Sequence, residues 1–398
     1  MRPPAMPGAH ASFRLRAYRE SGTILLYLTP YKRQPAGAAG NSGCTIWKGP
    51  PAMTYGPAQS KITWYRSPID RAVLAELNKR SDLFGFLQSL GHLGLLALTG
   101  AAAWFSLQAG LWWGLLIALF LHGTFYAFLL NGFHELCHRT VFRTKFLNEF
   151  FLRVFSFLGW FNHVYFWASH QEHHKYTLHQ PDDLEVVLPV DFTRKAFCQI
   201  ALINPTGLFQ RIKGVVRLSF GRLEGEEGDW EYILFPPDAT EKRRRLFNWA
   251  RVLLVGHLLL TVVSLVLHFT VFPGLWLLPV LVTLAPFYGG WLLFLCNNTQ
   301  HVGLTDNIPD FRLCTRTFRV NPFVQFLYWH MNYHIEHHMY AAVPCYKLGK
   351  LHRAIEDDLP TIPVGIVATW REIAAILEKQ REDPSYQHLP DAPNPVLA

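Results

Sequence analysis

Two long stretches of this 398-residue chain lack every charged residue. No Asp, Glu, Lys or Arg occurs from Leu83 to Phe133, and none occurs from Val252 to Thr305. Each stretch is about 50 residues long, which is enough for two membrane-crossing helices of about 20 residues and a turn. The missing charge therefore predicts an integral membrane protein rather than soluble domains with fully buried cores.

Cysteine is scarce and shows no paired spacing. The six cysteines contain no CxxC motif, which argues against a disulfide framework and favours a reducing, cytosolic environment: Cys44, Cys137, Cys198, Cys296, Cys314 and Cys345. No cleavable signal peptide is evident, because the first long apolar run begins far from Met1.

The apolar runs predict an all-α integral membrane protein with two helical hairpins. The four transmembrane helices are expected at about 84–105, 111–133, 251–272 and 274–296, and Pro279 and Pro286 are expected to kink the fourth. The uncharged turn of the first hairpin is placed on the far side of the membrane. A histidine-rich cytoplasmic cap would then be formed by residues 134–250 and 297–355.

The net charge of +8 is best explained by the membrane and not by a nucleic acid. A basic run, Lys242 to Arg245, directly precedes the third expected crossing, where the positive-inside rule places cytoplasmic residues that also attract anionic headgroups. We therefore expect the site and both termini on the cytoplasmic side.

The ends of the chain differ in composition from the membrane domain, which we place at residues 61–355. Residues 1–60 are rich in Pro, Gly, Ala and Ser and are expected to be disordered, and Met53 offers an alternative start, so that residues 1–52 need not belong to the mature protein. Residues 356–398 are expected to form a cytoplasmic helix and a disordered, Pro-rich tail from Asp383. His352 and His388 are expected at the surface.

Histidine, in contrast, is abundant and clustered. On a helix, the spacing i, i+3, i+4 places three imidazoles on one face, and imidazole is a ligand for iron, zinc, copper or nickel. Two HxxHH motifs, one HELCH motif and an NNTQH motif supply nine candidate ligands, enough for two metal ions: His134, His138, His170, His173, His174, His301, His334, His337 and His338. The interleaved carboxylates Glu135, Glu172 and Glu336 are expected to orient these imidazoles and not to bind metal themselves.

These motifs, H-E-L-C-H, H-Q-E-H-H, N-N-T-Q-H and H-I-E-H-H, resemble those of the membrane fatty acid desaturase superfamily over roughly residues 80–355. The resemblance implies a non-haem di-iron centre held by the nine histidines, with Asn297 reaching a metal through water. It also implies O2 as co-substrate and electrons from cytochrome b5 with its reductase, or from ferredoxin. No His-Pro-Gly-Gly haem motif occurs, so the donor is expected to be a separate protein. The location would be the endoplasmic reticulum membrane in a eukaryote and the inner membrane in a bacterium.

Other functions remain open at this point. The same superfamily contains hydroxylases and other C–H oxidising enzymes, and no sequence feature separates them from a desaturase. The segment His134-Glu135-Leu136-Cys137-His138 also satisfies the H-E-x-x-H motif of zinc metalloproteases, in which the Glu is a general base, but that function leaves most of the histidines unexplained. A metal-binding membrane receptor without catalysis is a further alternative.

The substrate is only broadly constrained. An acyl-CoA, a phospholipid-bound acyl chain, a sphingolipid or a small hydrophobic metabolite would each suit a hydrophobic tunnel between the crossings. Four aromatic residues are candidates for lining such a tunnel, although lipid contact or packing is expected for each one singly: Trp112, Trp113, Tyr126 and Trp291. His122, His257 and His268, inside the expected crossings, are predicted to have packing roles.

Overall fold

The computed structural model describes residues 61–397 except 180, 181, 184, 187–193, 227 and 384. The predictions for residues 1–60, including the alternative start at Met53, lie outside this range. Among the described residues the only regular elements are helices, and β-pairing is limited to isolated bridges. The predicted all-α class is therefore confirmed for the part of the chain that the structure describes.

The first half of the chain forms six helices, and five of the nine candidate ligands lie on α4 and α6 or at their ends. In chain order they are α1 (Arg71–Leu77), α2 (Asp82–Gln108), α3 (Trp112–Ala127), α4 (Leu129–Cys137), α5 (Lys145–Leu158) and α6 (His163–Tyr176). Side chains cap several of them: Ser81 Oγ accepts from Phe84 N at the start of α2, and Asn162 Oδ1 accepts from Val164 N at the start of α6.

The second half begins with α7 (Arg194–Ala201), α8 (Pro205–Ser219), α9 (Trp230–Leu234), α10 (Thr240–Thr270), α11 (Leu277–Leu281) and α12 (Trp291–Asn297). It ends with α13 (Phe311–Cys314), α14 (Pro322–Leu327), α15 (His334–Met339), α16 (Leu348–Ile355) and α17 (Ile366–Glu382). Helix α15 is buried along its whole length and carries the last three candidate ligands.

Three helical stretches in the described residues are long and apolar enough to cross a membrane. They are α2, the run from α3 into α4 (Trp112–Cys137), and α10. Large apolar side chains are exposed on their outer faces, with Leu98 68%, Trp113 81% and Phe269 81% exposed. A soluble protein rarely exposes so continuous an apolar surface, so these faces suit a lipid environment.

The prediction of one kinked fourth helix over residues 274–296 is wrong. That segment consists of α11, a 3-10 turn at Ala285–Phe287 and α12, with irregular backbone between them. Pro279 and Pro286 each lack an N–H donor, and Gly289 adopts a positive φ of 68°. The break also lets this segment approach α3 closely, since a Cβ on Gly123 would lie 2.4 Å from the carbonyl oxygen of Tyr288.

The helix that contains the third expected crossing begins before that crossing. Helix α10 begins at Thr240 and not near residue 251, because the basic run from Lys242 to Arg245 continues the same helix into the polar region. Glu241 stabilises this first turn through ion pairs to Arg244 and Arg245 at 2.7 and 2.9 Å. A charged first turn thus extends the apolar helix beyond the hydrophobic stretch.

The C-terminal tail contacts the rest of the chain. Its described part, residues 385–397, lies along the region around α13, where Arg312 is fully buried and paired with Asp310 at 2.7 Å. The Arg312 guanidinium donates to the carbonyl oxygens of Pro393 and Asn394 at 2.8 and 3.3 Å. A buried guanidinium requires acceptors for its remaining donors, and the Pro-rich tail supplies two of them beside those of Asp358.

Deleting residues 385–398 is therefore expected to lower the free energy of unfolding by about 1–3 kcal/mol, since it removes two of the carbonyl acceptors of the buried Arg312 guanidinium. Thermal unfolding of the detergent-purified protein measures this effect. A deletion of residues 397–398 is the control, because Leu397 is 55% exposed. Equal melting temperatures for the two deletions would show that the tail contributes nothing.

Candidate metal centre

Five imidazoles from three helices converge in one buried group, which we call cluster A. Their ligand atoms all lie within 4.8 Å of one another: His134 and His138 at the end of α4, His170 and His174 on α6, and His337 on α15. His170 Nε2 is the centre of the group and lies 2.7 Å from His134 Nε2, 3.0 Å from His174 Nε2 and 3.2 Å from His138 Nε2. The HxxxH and HxxHH spacings produce this convergence because residues three or four apart share a helix face.

A second group, cluster B, lies beside the first. His173, His301 and His338 place their ligand atoms within 4.8 Å of one another. His334 joins them, because its Nε2 lies 3.0 Å from His301 Nε2 and 3.2 Å from His338 Nε2. His301 comes from the turn after α12 and not from a helix, so the broken segment before it determines where this imidazole lies.

The two clusters are in direct contact. The rings of His174 in cluster A and His338 in cluster B stack with centroids 4.4 Å apart. A cavity of about 30 Å³ reaches residues of both clusters, among them His134, His170, His173 and His301. That volume has room for roughly two water-sized molecules, so a diatomic molecule could reach both groups.

The nitrogen atoms in these clusters have the properties that a cation site requires. In cluster A, both ring nitrogens of His337 are buried without a hydrogen-bond partner among the described residues. Burial and the neighbouring imidazoles hold the pKa of His170, His174, His337 and His338 well below the ordinary histidine value. Neutral imidazoles that direct their lone pairs at one another repel, and metal cations would relieve that repulsion. The residues therefore fit metal ions.

Carboxylates and carbonyls outside the clusters fix the orientation of several rings. His170 Nδ1 donates to Glu185 Oε1, and His173 Nδ1 donates to Asp183 Oδ2, each at 2.8 Å. His301 Nδ1 donates to the carbonyl oxygen of Cys314 at 3.0 Å. A ring that donates from Nδ1 presents Nε2 as its acceptor, which is the usual arrangement of a metal-binding histidine.

Asp183 and Glu185 were missed by sequence reasoning. Asp183 is fully buried and also accepts from the backbone N–H groups of Leu178 and Glu185 at 2.8 and 3.0 Å. Burial alone would lower the pKa of His173, but the Asp183 charge raises it above the ordinary value. The signal available was the pair of acids spaced two apart, about ten residues after the HQEHH motif, on a segment without regular periodicity.

A protein-family model described as fatty acid desaturase matches residues 55–370, which is more than half of the chain. This chain belongs to the fatty acid desaturase family. The match confirms the resemblance drawn from the histidine motifs, and it implies a membrane oxidoreductase of the desaturase or hydroxylase type. No curated protein matches the chain significantly.

Of the three carboxylates expected to orient ligands in this chain, two are buried near the histidine clusters. Glu135 is 1% exposed and its Oε1 lies 3.1 Å from His134 Nδ1 and 3.4 Å from His337 Nδ1. Glu336 is a fully buried residue of α15, where it accepts from Thr317 Oγ1 at 2.6 Å and contacts His352 Nδ1. His352 is therefore buried, and the expectation that it lies at the surface is wrong.

The expectation for Glu172 is also wrong. Its carboxylate pairs with Lys175 Nζ at 2.7 Å near the surface, because position 172 points away from the face that carries His170, His173 and His174. The rings of that motif are held by Asp183 and Glu185 instead. A zinc-protease role for Glu135 is likewise disfavoured, since this carboxylate lies between two imidazoles of a five-histidine cluster.

Asn297 lines the same cavity as the histidines. Its Oδ1 accepts from Asn131 Nδ2 at 3.0 Å, while Asn131 Oδ1 is buried without a partner among the described residues. This amide pair provides polar groups close to both clusters, as a water-mediated role for Asn297 requires.

The aromatic residues considered for a substrate tunnel have other surroundings. Trp112 and Trp113 are 64% and 81% exposed, so they suit lipid contact. Tyr126 donates to the carbonyl oxygens of Leu158 and Val282, and Trp291 donates to Thr124 Oγ1. Histidines inside the apolar helices also make packing contacts, as expected, and His122 bridges Thr99 and the Leu281 carbonyl.

Proposed function

We propose that this chain is an O2-dependent, non-haem di-iron desaturase that introduces a double bond into the acyl chain of a lipid or a similar hydrophobic substrate. The observation that supports this proposal is the contact between two buried histidine clusters, because paired metal ions need ligand sets that are adjacent and separate. The family membership supports the same reaction class.

Each cluster would hold one iron ion. Cluster A offers five nitrogens and cluster B offers four, with Asn297 placed to act through a water molecule. Bound iron would supply the activation of O2 and the removal of hydrogen from an unactivated C–H bond. Imidazole is a suitable ligand for iron, and a mainly neutral ligand set leaves the metal charge largely uncompensated.

The protein's own residues would prepare the site for this chemistry. Asp183 and Glu185 hold His173 and His170 with Nδ1 as donor, so that Nε2 is available to a metal. Glu135 lies against rings from α4 and α15 and so links two of the contributing helices. Seven of the nine histidines are buried and His138 and His174 are partly buried, which limits the access of water and protects a strong oxidant from side reactions.

The membrane arrangement is part of the same proposal. α2, the α3–α4 run and α10 would span the bilayer, and the broken segment from 274 to 296 would complete the second hairpin while buried against α3, where irregular backbone is tolerated. The histidine clusters and the chain ends would face the cytoplasm, in the endoplasmic reticulum of a eukaryote or the inner membrane of a bacterium. Electrons would come from a separate cytochrome b5 or ferredoxin.

The fatty acid profile of a heterologous host tests this function. Cells that express the chain are expected to accumulate an unsaturated acyl chain that is absent from cells with an empty vector, provided that the host contains the electron donor. Mass spectrometry of derivatised acyl chains gives the double-bond position. A hydroxylated product would instead assign the chain to the hydroxylase type within the same family, and no acyl product with iron bound and donor supplied would refute an acyl substrate.

A further inference from the structure

A second, much larger cavity lies outside the candidate metal centre. Its volume is about 700 Å³, within the range of sites that hold a drug-sized ligand. Its walls are the polar end of α10, one side of α5, the first part of α6 and the residues that follow α4. It therefore opens where the apolar part of α10 meets the charged first turns of that helix.

Positive charge dominates the rim of this cavity. Four cationic side chains line it against two carboxylates: Arg139, Arg153, Lys242 and Arg245 against Glu149 and Glu241. The carboxylates only partly neutralise these cations, since Glu149 serves both Arg139 and Arg153 at 2.8 and 3.4 Å. A rim with excess cationic donors at a membrane boundary suits an anionic group with several acceptor oxygens, which is the chemistry of a phosphate ester.

A residue with an unpaired polar atom borders the same space. His163 lines the cavity, and its Nδ1 is buried without a hydrogen-bond partner among the described residues. Burial lowers the pKa of His163 to about 4, and the Arg153 charge adds to this effect, so the ring is neutral at physiological pH. A neutral imidazole can donate one hydrogen bond to an anionic oxygen without requiring a counter-charge.

The inner wall is apolar and reaches the metal centre. Leu152, Val164, Trp249 and Val252 line the cavity together with Trp167. The Trp167 ring lies with its centroid 5.4 Å from that of His138, a member of cluster A. A single indole ring thus separates the cavity from the candidate iron ligands, and the cavity combines a cationic rim with an apolar wall.

We propose that this cavity binds the phosphate-bearing head of an amphipathic acyl compound. Only the further statement that this compound is the substrate rests on the proposed desaturase function. The phosphate could belong to a membrane phospholipid or to a phosphorylated acyl carrier such as coenzyme A, and both share the chemistry that the rim recognises. The site would hold the head beside cluster A, while the acyl portion extends along the apolar wall.

Equilibrium binding to the metal-free, full-length protein in non-ionic detergent tests the proposal. Radiolabelled oleoyl lysophosphatidate and oleoyl-coenzyme A are the two phosphate-bearing probes, and monooleoylglycerol is the neutral one. At least one phosphate-bearing probe is expected to bind about tenfold or more tightly than the neutral probe and to weaken as salt increases. The preferred probe identifies the source of the phosphate, whereas equal affinity for all three would overturn the proposal.

Two double variants with the same charge change assign the binding to this cavity. Arg153→Gln with Arg245→Gln removes one cavity-lining cation from α5 and one from α10. The control, Arg143→Gln with Arg244→Gln, removes two cations outside the cavity, and Arg244 pairs with the same Glu241 as Arg245 does. All four arginines are at least 55% exposed, so both variants are expected to fold.

The wall variant is expected to bind the preferred probe about tenfold more weakly, and the control is expected to retain wild-type affinity. Equal affinity of the wall variant and the wild type, or an equal loss in both variants, would overturn the assignment. Because binding is measured without metal, this result is independent of the di-iron proposal. A protein that binds iron and forms product but fails this test would lose only the cavity assignment.

Discussion

Replacing His337 with asparagine is expected to abolish product formation and to remove the metal from cluster A, while the protein still inserts and folds. His337 is the one member of cluster A from α15, and both of its ring nitrogens are buried without a hydrogen-bond partner in the described structure. Changing an outer partner of a metal ligand already lowers metal affinity by about 10–100-fold. Loss of a ligand itself is therefore expected to lower metal affinity by more than about 100-fold. Metal content and host lipid profile measure the two effects.

His330→Asn is the matched control for that variant. His330 lies shortly before α15, belongs to neither cluster, and contacts Gln325 through Nδ1 at 3.1 Å. Its φ of 59° is a left-handed conformation that asparagine tolerates. The control is expected to retain metal and product, and a His337→Asn protein with wild-type metal content and activity would remove the basis of cluster A.

The substitution Asp183→Asn is expected to weaken metal binding in cluster B about 10–100-fold and to reduce product formation correspondingly. The change keeps the shape of the side chain but removes the charge that holds His173 Nδ1 as a donor at 2.8 Å. It also weakens the hydrogen bond that the buried N–H of Leu178 donates to this side chain. This loss is expected to lower the free energy of unfolding by about 1–3 kcal/mol. Iron titration of the apo-protein and thermal unfolding separate the two losses.

The neighbouring substitution Asp182→Asn makes the same chemical change at a partly exposed position. It is expected to leave both iron affinity and melting temperature near the wild-type values. If Asp183→Asn behaved like Asp182→Asn in the iron titration, Asp183 would have no part in holding the metal ligands, whatever its effect on stability.

The sequence contained most of the information about the histidines. HxxHH on a helix determines which rings share a face, so the convergence of His170, His174 and His337 could be predicted from spacing and from the placement of their motifs at one membrane side. The division into clusters A and B could not be predicted. His173 shares a helix face with His170 and His174, but its ring meets His301 and His338, which come from distant parts of the chain.

The missed features depend on tertiary contacts. Asp183 and Glu185 lie on a segment without helical or strand periodicity, so spacing could not place them against α6. Hydropathy alone favoured one continuous fourth helix. In the structure the segment with Pro279, Pro286 and Gly289 is divided into short helices that pack against α3. The contacts of the C-terminal tail were missed for a similar reason, because they depend on the buried charge of Arg312 and not on the composition of the tail.

The metal content of the purified wild-type protein tests the central claim most directly. The protein, produced in iron-supplied cells and purified without chelators, is analysed for iron and zinc per chain. The arrangement of clusters A and B predicts two iron ions per chain, with loss of one of them in His337→Asn. One zinc ion per chain, or no metal in a folded protein, would contradict the di-iron centre.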